Sequence, residues 1–209
     1  ALKNNSYGIK KDGSLWAWGY GYLGVGGEES LVPEPTKVKE VGPWEKVHST
    51  DNHTLALKED GTLWAWGLGK DAMRIEIDEA MIPYKVNDDT DWIEIIAGSN
   101  YSLAMKADSS LWGWGKNRIG IFGTDPLLVL SEPTKIIPEC TGGISSIVGG
   151  KSSMIAKSMN NKLYLISSGY CSEMEFDGKV PNSFRYMHTN YNGYNIVISD
   201  EGNLYNSLS

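Results

Sequence analysis

The stretch Lys58-Glu59-Asp60-Gly61-Thr62-Leu63-Trp64-Ala65-Trp66-Gly67 follows directly on the alternating run Leu55-Ala56-Leu57. An Asp-Gly step between two alternating apolar runs is a hairpin signal, because glycine tolerates the positive φ that a tight turn requires. Near-copies stand at 10–19 (Lys-Lys-Asp-Gly-Ser-Leu-Trp-Ala-Trp-Gly) and 106–115 (Lys-Ala-Asp-Ser-Ser-Leu-Trp-Gly-Trp-Gly). The phrase is therefore a β-hairpin that recurs along the chain.

Working outward, Leu15, Leu63, Leu111, Leu163 and Leu204 occupy equivalent hairpin positions, at spacings of 48, 48, 52 and 41 residues. Short apolar strands precede the later hairpins: Trp44–Val47, Trp92–Ile95, Ile144–Ile147 and Phe184–Met187. Pro-led strands follow the first three, at Pro35–Val38, Pro83–Val86 and Pro133–Ile136, and a weaker candidate lies near Lys179–Pro181. Proline cannot donate to a central ladder, so these strands belong at sheet edges. Four short antiparallel strands in roughly 40–50 residues is the period of a propeller blade. The repeats run about 1–43, 44–91, 92–143 and 144–183, with a partial one at 184–209. The alternation has a period of two, which excludes a helical solenoid. A WD dipeptide is absent, and the glycine pairs at 26–27, 142–143 and 149–150 fall out of register for a kelch blade.

The pattern resembles the RCC1-like repeat, in the Trp-rich bacterial version shared with the BLIP-II class of inhibitor proteins. The hairpin phrase and its Trp-Gly ending carry the resemblance. So do the Gly-punctuated loops after Trp18-Gly19 and Trp114-Gly115, and the inner-strand endings Ile95-Ile96-Ala97-Gly98 and Ile147-Val148-Gly149-Gly150. It implies an all-β propeller of four-stranded antiparallel blades and a secreted or surface-attached bacterial protein. The later repeats depart from it. The fourth hairpin has Tyr164 and Ile166 in place of the Trp pair and reads as one residue longer in its turn, counted from Lys157.

Five hairpins, four inner strands and about four edge strands come to about eighteen strands, or four and a half blades. The family's rings have about seven blades. The first hairpin has no inner strand within the chain and the last has no edge strand. The expectation is a chain that self-associates through its terminal blades or works as part of a larger ring.

Composition narrows the function classes. Eight Trp and eleven Tyr against three Phe suit half-buried sheet faces, where a ring packs while its N–H or O–H finds a partner. A net charge of −7, with Lys and Arg scattered, argues against nucleic-acid binding. No apolar run is long enough to suggest membrane insertion. Cys140 and Cys171 match no metal-ligand spacing and read as two unpaired small residues rather than a disulfide.

Chemistry is sparse. Of the three histidines, His53 shares a repeat slot with Tyr101 and Tyr194, and His48 matches His188, so both slots read as structural. Asp12, Asp60 and Asp108 recur with the turn but lack the further oxygen donors of a calcium loop, so they read as bonding their own backbone. No nucleophile elbow, phosphate loop or zinc spacing appears, and neither a catalytic residue, a metal nor a cofactor is expected. Glu76, Asp78 and Glu79 form a solvated acidic loop. The paired Trp read as packing rather than as a sugar platform. Loops at 19–34, 67–82 and 115–132 are the place for binding, with Tyr20, Tyr22 and Phe122 as their aromatics and Tyr170 at the equivalent place after the fourth hairpin.

The reading is a non-catalytic scaffold that binds another protein through these loops. Carbohydrate or cell-wall binding by the same loops is the first alternative. Inhibition of a β-lactamase-type enzyme, suggested by the resemblance, is another, and an enzyme using surface carboxylates is the last.

Overall fold

A computed structural model of the chain describes residues 5–27, 30–50, 52–68, 79–116, 120, 122, 128–136, 143–149, 154–167, 170–174, 184–189, 195–199 and 204–206. The described residues form eighteen β-strands in five antiparallel sheets. The first sheet holds β1 (Asn5–Ile9), β2 (Leu15–Gly21) and β3 (Ser30–Lys37). The second holds β4 (Trp44–Ser49), β5 (His53–Lys58), β6 (Leu63–Leu68) and β7 (Glu79–Lys85). The third holds β8 (Trp92–Ala97), β9 (Tyr101–Lys106), β10 (Leu111–Lys116) and β11 (Val129–Ile136). The fourth holds β12 (Ile144–Gly149), β13 (Met154–Ser158), β14 (Leu163–Ser167) and β15 (Tyr170–Glu173). The fifth holds β16 (Phe184–Thr189), β17 (Asn195–Ser199) and β18 (Leu204–Asn206).

Every sheet is a meander of sequential neighbours, as short hairpin turns dictate. The first strands β4, β8, β12 and β16 pack on one another in series, and β1 reaches β4, so sheet follows sheet as blade follows blade. Among the described residues the first sheet has its hairpin strands β1 and β2 with the edge strand β3, and the fifth has an inner strand β16 with its hairpin strands β17 and β18.

The recurring phrase explains the hairpins atom by atom. Asp60 Oδ1 accepts from the amide N–H (3.0 Å) and hydroxyl (2.6 Å) of Thr62, whose Oγ1 accepts from Trp64 Nε1 at 2.9 Å. Asp12, Ser14 and Trp16 repeat the relay, as do Asp108, Ser110 and Trp112. The hydroxyl and amide donors hold the Asp12, Asp60 and Asp108 carboxyls below the usual carboxylate range. The aspartates thus serve their own turns, as their position implies. Gly13, Gly61, Ser109 and Asn161 occupy one slot, each with φ between 66° and 76°.

The fourth hairpin corrects the sequence expectation of a longer turn. Ser158 N–H donates to Lys162 O as Lys58 N–H donates to Thr62 O, so Ser158, not Lys157, fills the lysine slot and the turn length is unchanged. At Gly61 a Cβ would overlap Thr90 O of the next blade's approach, in addition to the left-handed backbone. Gly61→Val is therefore expected to cost at least about 2 kcal/mol, read as a shift of the urea midpoint. An unchanged midpoint would show that the turn relaxes freely.

The edge strands begin earlier than the prolines suggest. β3, β7 and β11 start four or five residues before Pro35, Pro83 and Pro133, and each carries a register shift in its pairing, as between Ala65 and Gly67 on β6. The prolines stand in these irregular stretches, where a missing N–H leaves no ladder bond unmade. The fourth edge strand is Tyr170–Glu173 rather than a strand near Lys179–Pro181; those residues lie outside the described ones.

The cores lie in the seams between sheets. Leu15, Leu23, Trp44, Ala56 and Trp66 fill the first seam, and Leu57, Leu63, Trp92, Ile95 and Trp114 the second. Ile96, Leu103, Phe122, Ile147 and Met154 fill the third. Cys171 is disulfide-bonded, and since the chain has two cysteines its partner is Cys140, which lies outside the described residues. The expected unpaired thiols are thus corrected. The bond closes a loop of about 30 residues, so Cys171→Ser is expected to cost about 2–4 kcal/mol. Thermal unfolding with and without reductant checks this, and identical curves would contradict it.

Candidate functional site

The outer hairpin of each blade ends in a rim where its third strand hands over to the edge strand. On the first sheet Tyr20 pairs with Leu31, and both are well exposed, Tyr20 at 50%. Leu68 ends β6 and Ile82 stands on β7, both exposed. Val129 opens β11 with Leu128 just ahead of it, and Tyr170, 78% exposed, opens β15. Four neighbouring blades thus carry exposed apolar side chains at corresponding ends of their outer strands. Tyr20 and Tyr170 are the aromatics among them.

The loops themselves behave differently from expectation. Leu23 is buried in the first seam, and Gly24 lies against the Trp66 indole, where a Cβ would stand about 3.0 Å from Nε1. Gly26 N–H donates to Met81 O at 3.2 Å, so the first loop laps onto β7 of the next blade. Tyr22 is half-buried, its carbonyl accepting from the Tyr7 hydroxyl at 3.3 Å. Phe122 is not a surface aromatic: it is 5% exposed and packs on Gly113, in the third seam. The third copy reads Trp-Gly-Trp where the others read Trp-Ala-Trp, and that missing methyl makes the room. Tyr20 and Tyr170 therefore stand on strands at the rim, while Phe122 serves the third seam and Tyr22 is half-buried with its carbonyl bonded within its own blade. Glu76 and Asp78 lie outside the described residues.

His48 and His53 are seam residues. His53 is fully buried; its Nδ1 faces Thr50 Oγ1 at 3.3 Å and its Nε2 faces Ser102 Oγ, on the next blade, at 3.0 Å. Burial, with His48 nearby, lowers its pKa from the ordinary 6.5 to about 3. His48 Nδ1 accepts the Ala97 N–H at 3.1 Å across the same seam, which places its proton on Nε2. Burial lowers its pKa too, against the opposing pull of Glu94. Lys46 bridges the seam as well, with Nζ 2.9 Å from Glu94 and 2.7 Å from Ile93 O. These groups spend their polar atoms on joining blades. The side chain of His188 lies outside those described.

The indoles are occupied. Trp16, Trp64 and Trp112 donate Nε1 into the turn relay, and Lys10, Lys58 and Lys106 stand over their rings at 3.6, 4.0 and 5.0 Å. Trp44 meets Trp64 edge-on, and Trp92 meets Trp112 the same way. The second indoles, Trp66 and Trp114, are fully buried. Stacking a sugar on these rings would require moving a lysine whose charge each ring already holds. Among the described residues no group of His, Cys, Asp and Glu is arranged to hold a metal ion.

Comparison with known proteins places this geometry. Residues 12–57 match the Regulator of chromosome condensation (RCC1) repeat family, and residues 45–71 match a second RCC1 repeat family. No curated protein matches the chain. Among solved structures, yeast RCC1 (Prp20) bound to Kap60 is similar at 17% identity and a TM-score of 0.78, over 97% of this chain and 53% of that one. Prp20p from Saccharomyces cerevisiae, described with its binding properties to Gsp1p and histones, is similar at 17% identity and 0.74, over 97% and 56%. Human WBSCR16 follows at 18% identity and 0.71, over 87% and 53%. The chain spans about half the length of these structures. The Trp-Gly hairpins, the meandering sheets and these likenesses agree on the fold: all-β, with antiparallel sheets like the blades of RCC1-like β-propellers.

Proposed function

We propose that the chain is a non-catalytic module that binds another protein through the rim of its outer hairpins. The observation that carries this is the row of exposed apolar side chains, Tyr20 and Leu31 through Leu68 and Val129 to Tyr170, on four successive blades. Single exposed apolar residues are ordinary, but recurrence at corresponding strand ends of a rigid scaffold marks a contact surface. Tyr supplies contact area at low conformational cost, as expected of anchor residues. RCC1-like propellers commonly mediate protein–protein contacts, and Prp20 was crystallised with Kap60. The charge of −7 directs the choice toward a protein with a neutral or basic surface rather than toward nucleic acid. The disulfide at Cys171 supports an oxidising compartment, consistent with secretion or surface display by a bacterium. Carbohydrate binding is the weaker reading, since Trp16, Trp64 and Trp112 are engaged by lysines and turn hydroxyls and Trp66 and Trp114 are buried.

A photo-crosslinking residue at position 31 or 170 is expected to capture one discrete protein, whereas the same residue at position 41, near the start of β4, is expected to capture none. Tyr20→Ser combined with Tyr170→Ser should abolish that capture while leaving the unfolding midpoint in place. Capture from position 41 alone, or glycan binding that disappears on the same double substitution, would reject the rim as a protein-binding surface.

A further inference from the structure

The turns that join the first two strands of the second and third blades carry both the rim and the seam between those blades. Asn52 O accepts the N–H of Leu68, the exposed end of β6, at 2.7 Å, and Asn100 O accepts the N–H of Lys116, the end of β10, at 2.8 Å. Asn52 Nδ2 reaches Ser99 O across the seam at 3.4 Å. The next residue, His53, closes the seam against Ser102 of β9. A change at His53 therefore reaches the rim through one residue.

The hydrogens around His53 are set by its neighbours. The Thr50 hydroxyl donates to His53 O at 3.2 Å, so Nδ1 keeps the ring proton and donates to Thr50 Oγ1, while Nε2 accepts the Ser102 hydroxyl. A second ring proton would sit on Nε2, force the Ser102 hydroxyl to turn away, and bury a cation. Among the described residues no carboxylate answers that charge. β4 brings exposed Glu45, Lys46 and His48, and His48 repels it. β8 brings Glu94, which pairs with Lys46 and pulls on His48. β6 brings nothing ionisable, β1 only Tyr7, and β9 the buried Tyr101. Lys58 and Lys106, at the far ends of β5 and β9, pair with Glu40 and with Asp89 and Asp91.

The neighbouring seams lack this arrangement. By register Asn5 and Tyr101 fill the slot of His53 on β1 and β9, and Ile96 and Val148 fill that of His48 on β8 and β12. Among the described side chains, imidazoles stand in the second seam alone. We propose that the second seam is a proton-operated hinge: in mild acid His53 takes a second ring proton from solvent, this seam opens while the first and third stay closed, and the rim parts between Leu68 and Leu128. A protein bound across the second and third blades is then released, a consequence that rests on the function proposed above, whereas the hinge does not. Burial holds His53 at about 3 in the closed seam and opening returns it to the ordinary 6.5, so opening takes up a proton and is favoured as pH falls below 6.5. Between pH 6.5 and 4.5 the opening constant rises about fiftyfold from His53 alone, and His48 adds to it.

Amide hydrogen exchange of the full chain at pH 6.5 and 4.5, corrected for intrinsic rates, tests the hinge. Protection at Leu68 and Ala97 is expected to fall about fiftyfold, while that at Val38 in the first blade and Ser158 in the fourth changes less than about threefold. His53→Gln should shrink the fall at Leu68 below about tenfold; should it not fold at pH 6.5, His53→Tyr, which repeats the residue of the same slot on β9, replaces it. Spin labels on Leu68→Cys and Leu128→Cys, with the native disulfide intact, are expected to move apart by at least about 5 Å at the lower pH. Unchanged protection at Leu68 and Ala97, loss in step with Val38, a full fall that survives the His53 substitution, or a fixed label distance overturns the proposal. A rim that captures no protein at either pH would sink the reading of the rim and leave the exchange and distance results standing for the hinge.

Discussion

Trp66→Ala is expected to remove about 3–5 kcal/mol, the range for deleting a large, fully buried aromatic. That is a large share of the 5–15 kcal/mol that holds a typical domain folded. The indole is fully buried in the first seam, edge-on to Tyr7 at 5.9 Å and to Trp44 at 6.1 Å. Its Nε1 donates to the Tyr7 hydroxyl at 3.1 Å, so truncation opens a cavity and strips a donor from a buried oxygen together. Trp64, two residues earlier, is half-buried beneath Lys58, and Trp64→Ala should cost clearly less. Urea midpoints of the two variants decide the matter. Equal losses, or a larger loss at Trp64, would mean the seam packing is not what holds the first two blades together.

The second large effect is a loss of stability in mild acid. His53 is neutral in the fold, its pKa lowered to about 3 by burial, while in the unfolded chain it returns to about 6.5. Its stabilising contribution is whole above pH 6.5 and shrinks as pH falls through that value toward 3. The full span is on the order of 5 kcal/mol, accumulating at about 1.4 kcal/mol per pH unit. His48, lowered by burial, acts in the same direction, with Glu94 opposing it. The aspartates of the turns, held below their ordinary 3.8, begin to be lost only below about that pH, so the interval from 6.5 to 4.5 isolates the histidines. His53→Gln should flatten the stability profile there. A wild-type profile already flat across that interval would show that the second seam does not depend on neutral imidazoles.

How much of this was legible beforehand differs from element to element. Asp60-Gly61 and the Trp-Gly ending announced the hairpin because the chemistry of a turn is local: carboxylate, hydroxyl and indole lie within five residues of one another. The Trp-led inner strands were equally plain. Phe122 was misread as a loop anchor because its partner, Gly113, is nine residues away on another element; the Trp-Gly-Trp variant held the clue. Tyr170 was placed after the fourth hairpin, but the strand it opens was expected about ten residues later, since no proline marks it. The fourth turn was counted from Lys157 because a lysine invited alignment with Lys58, whereas the backbone puts Ser158 there. The bond at Cys171 was missed because two cysteines 31 residues apart carry no spacing signal of their own. The apolar rim lay beyond periodicity altogether, because exposure at a strand end depends on what the neighbouring blade covers.

Apart from Trp66 to Tyr7, which spans 59 residues, the side-chain bonds named across the seams share one dimension. Asn5 to Thr50, Tyr7 to Thr54, His53 to Ser102, and Lys46 to Glu94 span 45, 47, 49 and 48 residues. No such seam waits for a distant part of the polypeptide. On a ribosome, each can close once about fifty further residues have emerged, while translation delivers ~5–20 residues per second. The nascent chain therefore exposes the unsatisfied face of one blade at a time, for a few seconds, instead of a growing apolar sheet. Acquisition of structure is a travelling front with a fixed stride, and a pause in translation would stall it at a whole number of blades.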